Sequence, residues 1–382
     1  MQIDRIPRIT QEPGAIARLG ALTAAHAGKG AAVLLVADPG LAATGITDAA
    51  AASLRAAGLG VVPFDRFRSD PTTASADEGA VHAIWHKAKA VVALGGGSAL
   101  DVGKAIACVA AGDFAADEYA LCARPLPARP LAKICVPTTS GTGSETTRTS
   151  VLTRADGSKT WLWGDEMKAD EVLLDPELTV GLPAHLTAAT GIDALIHAME
   201  ASTNANASAA NDIFAHAAIR LVARHLIDAV ERPTDIDARA GLQLAAALAG
   251  IAIDNAGTAI GHNIGHALAS LRPIHHGRAV GVAVLATLAW NAGDDPDGRF
   301  AAVAAAMGET GGAAALPAAY ERLLRRSGVK ISLSGEGHDD VTADALLDKM
   351  LSVDNKPMLR SNRRKPTEVE LAAFAARVLT QE

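Results

Sequence analysis

Short apolar runs alternate with amphipathic stretches through the first half of the chain. Ala31–Ala37 (AAVLLVA) has no polar position, the pattern of a strand buried on both faces, and it stops at the turn signal Asp38-Pro39-Gly40. Similar runs predict strands at Gly60–Phe64, Ala90–Leu94 and Ala132–Val136, with helices at Gln11–Ala27, Thr47–Ala57 and Ser75–Lys87. Strands alternating with helices imply a parallel sheet covered by helices, and ligands of such sheets bind beyond the carboxyl ends of the strands. Asp38, the segment Asp70-Pro71-Thr72 and Gly95–Ser98 are therefore expected along one rim. Ser150–Thr153 reads as another strand, and Asp156-Gly157 signals a hairpin before Lys159.

Asp175–Pro183 is rich in breakers, and strand patterns stop there. From Ala184 onward helix follows helix, interrupted at Arg232-Pro233, Arg272-Pro273 and Gly308–Gly312. The pattern predicts an α/β domain over residues 1–182 and a helical domain over residues 183–382. No uninterrupted apolar run reaches the ~18 residues of a membrane span. The Ala-rich piece around Leu244–Ile253 is expected to be too short for one and to form a buried helix.

Composition narrows the class. A chain of 382 residues, 49% hydrophobic and 20% charged, has the make-up of a soluble globular protein with room for two cores. A net charge of −7 gives no reason to expect nucleic acid or an anionic membrane as partner, and 3% aromatic residues argue against a base-stacking platform. The three cysteines, Cys108, Cys122 and Cys135, are odd in number and lack CxxC spacing, which points to a reducing compartment, the cytoplasm. The N-terminal residues show no signal-peptide pattern.

Candidate chemistry concentrates in Thr187–Gly277. Asp193 and His197 stand at i and i+4 in a helical segment, so a carboxylate and an imidazole share one face. His262 and His266 repeat the spacing, and His275-His276-Gly277 opens a third helix. A single histidine on an apolar helix is usually a satisfied core or surface residue; the grouping is what suggests a divalent-metal site. Spacing alone does not choose between His275 and His276. In the α/β half, Gly95-Gly96-Gly97-Ser98 with Asp101 and Lys104 follows a strand and opens a helix. It is neither a P-loop nor a G-x-G-x-x-G fingerprint, and a plain strand–helix turn fits as well as a phosphate cradle. Pro137–Thr147 is a hydroxyl- and glycine-rich loop after a buried strand.

Taken in order, Gly95–Ser98 with Asp101 and Lys104, Pro137-Thr-Thr-x-Gly-Thr-x-Ser-Glu145, Asp175-Pro-Glu-Leu-Thr, Thr187–Asp193 with His197 and Glu200, and His262, His266 and His276-Gly277 resemble the iron-containing (group III) alcohol dehydrogenases. The resemblance runs from about Ile6 over nearly the whole chain. It implies a Rossmann-like dinucleotide-binding domain and an all-α metal-binding domain, with the ligand site in a cleft between them. Asp193, His197, His262 and His276 would hold Fe²⁺ or Zn²⁺, and His266 would be a non-ligand histidine near the substrate, the candidate for proton relay. Gly95, Gly96, Gly97 and Ser98 would cradle a pyrophosphate, and Asp101, Thr138, Thr139, Thr142, Lys159 and Leu178 would line the cofactor site. Asp38 matches an acidic residue at the adenosine ribose, favouring NAD over NADP.

The implied activity is interconversion of a small primary alcohol, diol or hydroxy acid with its aldehyde, in a homodimer or larger assembly. A metal-free maleylacetate-type reductase and a dehydroquinate synthase-like cyclase or lyase are the alternatives. Departures from the family pattern are Asp70 in place of a usual Asn, Trp161 and Trp163 in place of smaller residues, and a basic stretch, Asn355–Lys365. That stretch reads as solvated surface, with an anion-holding loop for an acidic aldehyde as the second reading.

Overall fold

The computed structural model describes residues 3–382. The chain divides into two compact units, Arg5–Thr139 with Gly143–Leu182, and Pro183–Glu382 with the excursion Ser140–Thr142.

The first unit holds eight strands: β1 Arg8–Gln11, β2 Ala32–Ala37, β3 Gly60–Phe64, β4 Ala90–Gly95, β5 Ala132–Pro137, β6 Thr149–Thr153, β7 Lys159–Trp163 and β8 Glu171–Leu174. Six form a parallel sheet in the order β1-β8-β5-β4-β2-β3, and β6 and β7 form an antiparallel hairpin. The helices of this unit are α1 Leu19–Ala27, α2 Ile46–Ala56, α3 Thr73–Trp85, α4 Gly97–Val109 and the short α5 Ala116–Tyr119. Alternate side chains of β2 and β4 enter different cores, as a period of two demands. Leu34, Val36 and Val91 pack with Ala80, Val102 and Ile106 of α3 and α4. Val33, Leu35, Val92 and Leu94 pack with Leu19, Ala50 and Leu54 of α1 and α2. Burying one such Leu or Val stabilises the sheet by roughly 1.5–3 kcal/mol.

Two strands differ from the sequence expectation. Gln11 ends β1 rather than starting a helix, and β8 carries no apolar signal long enough to read. Both span four residues, and β8 begins with the buried carboxylate Glu171, held by Arg8 (3.2 Å) and His26 (3.1 Å). A charged position hides a buried strand from a hydrophobicity pattern.

The second unit contains α6 Ala184–Thr203, α7 Ala209–Glu231, α8 Ile236–Ala256, α9 Ile260–Leu271, α10 His276–Ala292, α11 Arg299–Ala306, α12 Leu316–Arg326, α13 Ala343–Met350, α14 Lys356–Ser361 and α15 Glu368–Thr380. Its axis is α6, in which every residue from Thr187 to Thr203 is buried. Ile192, Leu195 and Ile196 of α6 share a core with Leu226 of α7, Leu242 of α8 and Val280 of α10. A second core joins Ile264, Leu268, Val282, Leu346 and Phe374 from α9, α10, α13 and α15. The helix expected around Leu244–Ile253 is longer than its apolar run suggested: α8 has 21 residues and is long and apolar enough by composition to cross a membrane. It contributes Leu242, Ala245, Ala246, Ala249 and Ala252 to the first core.

Candidate metal centre and nucleotide rim

A helix buried all round should be apolar, so the buried Asp193, His197 and Glu200 of α6 require a compensating interaction. Asp193 Oδ1 lies 3.9 Å from His197 Nε2 on its own helix, 3.8 Å from His262 Nε2 on α9 and 3.4 Å from His276 Nε2 at the start of α10. One donor atom from each of the four residues lies within 4.8 Å of the others. Donors held at about 2.0–2.2 Å from one cation are separated by roughly 3–4 Å from each other, so these spacings fit a shared metal. Asp193 Oδ1 and His262 Nε2 have no hydrogen-bond partner among the described residues although both are buried. Leaving a carboxylate oxygen and a ring nitrogen so would cost several kcal/mol; a divalent cation satisfies both.

The imidazoles are oriented from behind. Glu200, one turn beyond His197, accepts the amides of Ala259 and Gly261 and faces His262 Nδ1, all at 2.7 Å. With Nδ1–H donating to Glu200, the lone pair of His262 Nε2 turns to the site. His197 Nδ1 faces the carbonyl of Gly141 at 3.4 Å. Burial, then the neighbouring His197, pushes His262 well below the ordinary imidazole range. Burial also takes His276 down to about 3, against the pull of Asp193. Neutral imidazoles are the form that binds metal. Burial raises Glu200 to about 7, with the Ala259 and Gly261 amides opposing.

Tertiary packing separates His275 from His276. His275 is exposed at the N-cap of α10, whereas Gly277 presses on α6: a Cβ there would stand 2.1 Å from the Ala189 carbonyl oxygen and 3.2 Å from Asp193 Cβ. Only glycine admits that approach, and it brings His276 against Asp193. His266 is half-buried, its ring edge-on to His262 at 6.0 Å and to His276 at 5.1 Å, outside the four-donor set. Glu200 was legible as a motif residue but not as a participant. The overlooked signal is a third polar residue, three positions past His197, on a face otherwise apolar.

In the α/β unit, Asp38 caps the end of β2 by accepting the Gly40 amide at 2.9 Å, and its own amide donates to the Leu94 carbonyl at 3.0 Å. Gly95 has φ 147°, and a Cβ there would lie 2.7 Å from Asp38 Cβ and Ala99 Cβ; at Gly96 one would meet Thr139 Cγ2 at 3.4 Å. The Thr138 amide donates to the Gly95 carbonyl at 2.9 Å. Asp38, Gly95, Gly96, Thr138 and Thr139 thus meet at the carboxyl ends of β2, β4 and β5, around the amino end of α4. A close-packed glycine turn leading into a helix amino end is an arrangement suited to a phosphate. Leu178 follows β8 in a short 3-10 turn, buried in the same core as Leu35 and Leu94. Thr142 belongs with the helical unit. Lys159, on β7, pairs with Asp70 at 2.6 Å.

Lys104 and Asp101 point inward. The Lys104 ammonium is wholly buried and donates to the carbonyls of Ser144 (2.7 Å) and Thr149 (2.6 Å). The Asp101 carboxylate accepts the Ser144 hydroxyl and the Val151 amide (3.1 Å). Together they fasten the hydroxyl-rich loop and the hairpin to α4. In the basic stretch Asn355–Lys365, Arg363 pairs with Asp297, Arg364 lies over the Trp290 ring at 4.2 Å, and Lys365 donates to the Asn362 carbonyl at 2.6 Å. These contacts engage three of the stretch's five basic residues. Asn362 accepts the Ile260 amide at 3.4 Å and so steadies the start of α9. A groove of about 600 Å³, with Arg5, Lys89, Lys133, Asp165 and Asp170 in its walls, opens instead at the amino ends of β4 and β5 and carries charges of both signs.

Residues 7–176 match the iron-containing alcohol dehydrogenase family, and residues 187–377 match the C-terminal Fe-containing alcohol dehydrogenase family. The chain is 35% identical over 375 residues to a 1,3-propanediol dehydrogenase of Klebsiella pneumoniae, covering 95% of this chain and 94% of that one. It is 39% identical over 249 residues to a long-chain-alcohol dehydrogenase of Geobacillus thermodenitrificans, covering 65% of this chain and 63% of that relative. A sulfoacetaldehyde reductase of Bifidobacterium kashiwanohense, solved in complex with NAD+, superposes with a TM-score of 0.90 at 26% identity, over all of both chains (100% of each).

Proposed function

Because the chain belongs to the iron-containing alcohol dehydrogenase family, we propose that Asp193, His197, His262 and His276 hold its catalytic metal and that the rim around Gly95 holds NAD(H). The protein is a metal-dependent, NAD(H)-linked oxidoreductase that interconverts an alcohol and its aldehyde. The observation that carries the residue assignment is the pair of orphaned, buried donors, Asp193 Oδ1 and His262 Nε2, inside a set of four converging ligand atoms. When bound, iron supplies Lewis-acid polarisation of the substrate oxygen and the nicotinamide supplies the hydride acceptor or donor.

The chain's own residues do the rest. Glu200 fixes the tautomer of His262 and the start of α9. His266, half-buried beside two ligands, moves the hydroxyl proton between the site and solvent through a ring nitrogen. The Gly95–Gly97 turn and the amino end of α4 bind the pyrophosphate. The Asp38 carboxylate accepts from a ribose 2′-OH and repels a 2′-phosphate, which supports NAD over NADP. Thr138 and Thr139 flank the cradle; Thr142, Leu178 and Lys159 are assigned cofactor contacts by the family pattern, and Asp101 positions the loop.

A small primary alcohol or diol is the substrate class favoured by the 1,3-propanediol dehydrogenase, which aligns over nearly the whole chain; the long-chain-alcohol dehydrogenase, aligned over 65% of it, points to a longer alcohol. The metal-free reductase and cyclase alternatives are not favoured by those relatives. Zn²⁺ is a second metal this donor set accepts. The free thiols support a cytoplasmic setting, and a homodimer or larger assembly is expected of the active enzyme. The test is to strip the metal, restore Fe²⁺ or Zn²⁺ separately, and follow reduced-nicotinamide absorbance with short alcohols and diols. Turnover should vanish on chelation, return with metal and be absent in His262→Ala. Full turnover of the stripped His262→Ala protein would refute the assignment.

A further inference from the structure

Asp70 has a left-handed backbone, φ 57°, which aspartate tolerates better than most residues. The turn it forms is held from two sides. The Asp70 amide donates to Ser98 Oγ at 3.3 Å, in the first turn of α4 beside the phosphate cradle. The Thr153 amide donates to the Pro71 carbonyl at 2.8 Å, and Thr72 bridges to Thr153. This geometry presents a carboxylate, 77% exposed, next to the end of the helix where anions bind, and Lys159 Nζ sits on it at 2.6 Å. Lys159 also donates to Thr153 Oγ1 at 3.1 Å, so its position does not depend on Asp70 alone.

We propose that Asp70 sets the affinity for the dinucleotide, holding the Lys159 ammonium on its own carboxylate in competition with the cofactor's phosphates. The proposal rests on the dinucleotide reading of the rim. A carboxylate at this place opposes the partial positive charge of the α4 amino end and neutralises the nearby cation. Asp70→Asn keeps a side chain that accepts the left-handed turn, removes the repulsion, and leaves Lys159 anchored by Thr153 with its charge unopposed. The consequence for the enzyme is a cofactor held more loosely, and so exchanged more readily, than the glycine cradle alone would dictate.

The experiment is calorimetric titration of the metal-loaded protein with NADH, ADP and adenosine at low ionic strength. Asp70→Asn should bind NADH and ADP about two- to fivefold more tightly, the scale of an exposed ion pair. Adenosine, which has no phosphate, should be unaffected. The gain should disappear near 1 M salt, where the screening length is about 3 Å. Lys159→Gln reads the pair from its other side: ADP should weaken, and adding Asp70→Asn should recover part of the loss. Equal or weaker ADP binding by Asp70→Asn, an equal gain for adenosine, or unchanged ADP affinity in Lys159→Gln would each overturn the proposal. A natural-sequence protein that binds neither NADH nor ADP would instead defeat the dinucleotide reading beneath it.

Discussion

The candidate metal centre and the candidate nucleotide rim are built by opposite means for the same task, holding a charged group. The centre is made of side chains. Asp193, His197 and His262 are buried, and Asp193 Oδ1 and His262 Nε2, without a hydrogen-bond partner among the described residues, suit a cation as their partner. The rim is made of backbone: a glycine packed closely at Gly95, amides at a helix end, and the charges of half-buried Asp38 and exposed Asp70. The first arrangement gives affinity through desolvated ligands whose positions are locked by Glu200 and the Gly141 carbonyl. The second is adjustable, because solvent screens its charges and a single exposed residue retunes it.

The strongest break of this contrast uses glycine in both places. Gly277→Ala drives a Cβ to 2.1 Å from the Ala189 carbonyl oxygen, so α10 must shift and carry His276 away. We expect the purified variant to lose its metal, read by elemental analysis, along with about 1–3 kcal/mol of stability. Gly96→Ala, whose Cβ meets the Thr139 side chain at no less than 3.4 Å, should keep metal content and melting temperature. Comparable metal loss in both would erase the distinction.

A smaller effect comes from Glu200→Gln. Its amide leaves one carboxylate acceptor fewer for the Ala259 and Gly261 amides and His262 Nδ1. Metal affinity should fall about 10–100-fold, measured by chelator competition, while NADH affinity stays as it was. Unchanged metal affinity would mean that His262 needs no orienting partner.

The smallest effect concerns exposed charge on the helical unit. Lys330 and Arg278 hydrogen-bond Glu336 and hold its carboxyl down at about 2. A carboxyl depressed on folding adds stability that is present above its unfolded value, about 4.5. That stability is lost as pH falls through about 2. Glu336→Gln should therefore flatten the acid limb of stability against pH, by under about 1 kcal/mol because the pair is partly solvated. An acid limb identical in both proteins would show that the pair contributes nothing.

Much of this was legible before folding. The fully apolar runs of β2 and β4 announce a two-faced parallel sheet, since few other places bury so uninterrupted a stretch. The i, i+4 pairs Asp193/His197 and His262/His266 declare their common faces by helical geometry alone. What escaped was short or contextual. Strands β1 and β8 are four residues each, below the length at which a period can be read. The inward turn of Lys104 is invisible in its motif, because only the carbonyls of Ser144 and Thr149 explain where its charge goes.

Local order along the chain determined most element types and the kinds of ligand available, because each depends on spacing within one helix or strand. Which donors converge, the choice of His276 over His275, the hold of Glu200 on the start of α9 and the meeting of Asp70 with Lys159, 89 residues apart, were decided only by tertiary structure. The reason is physical. Periodicity tells which way a side chain faces on its own element, and only packing tells what stands opposite.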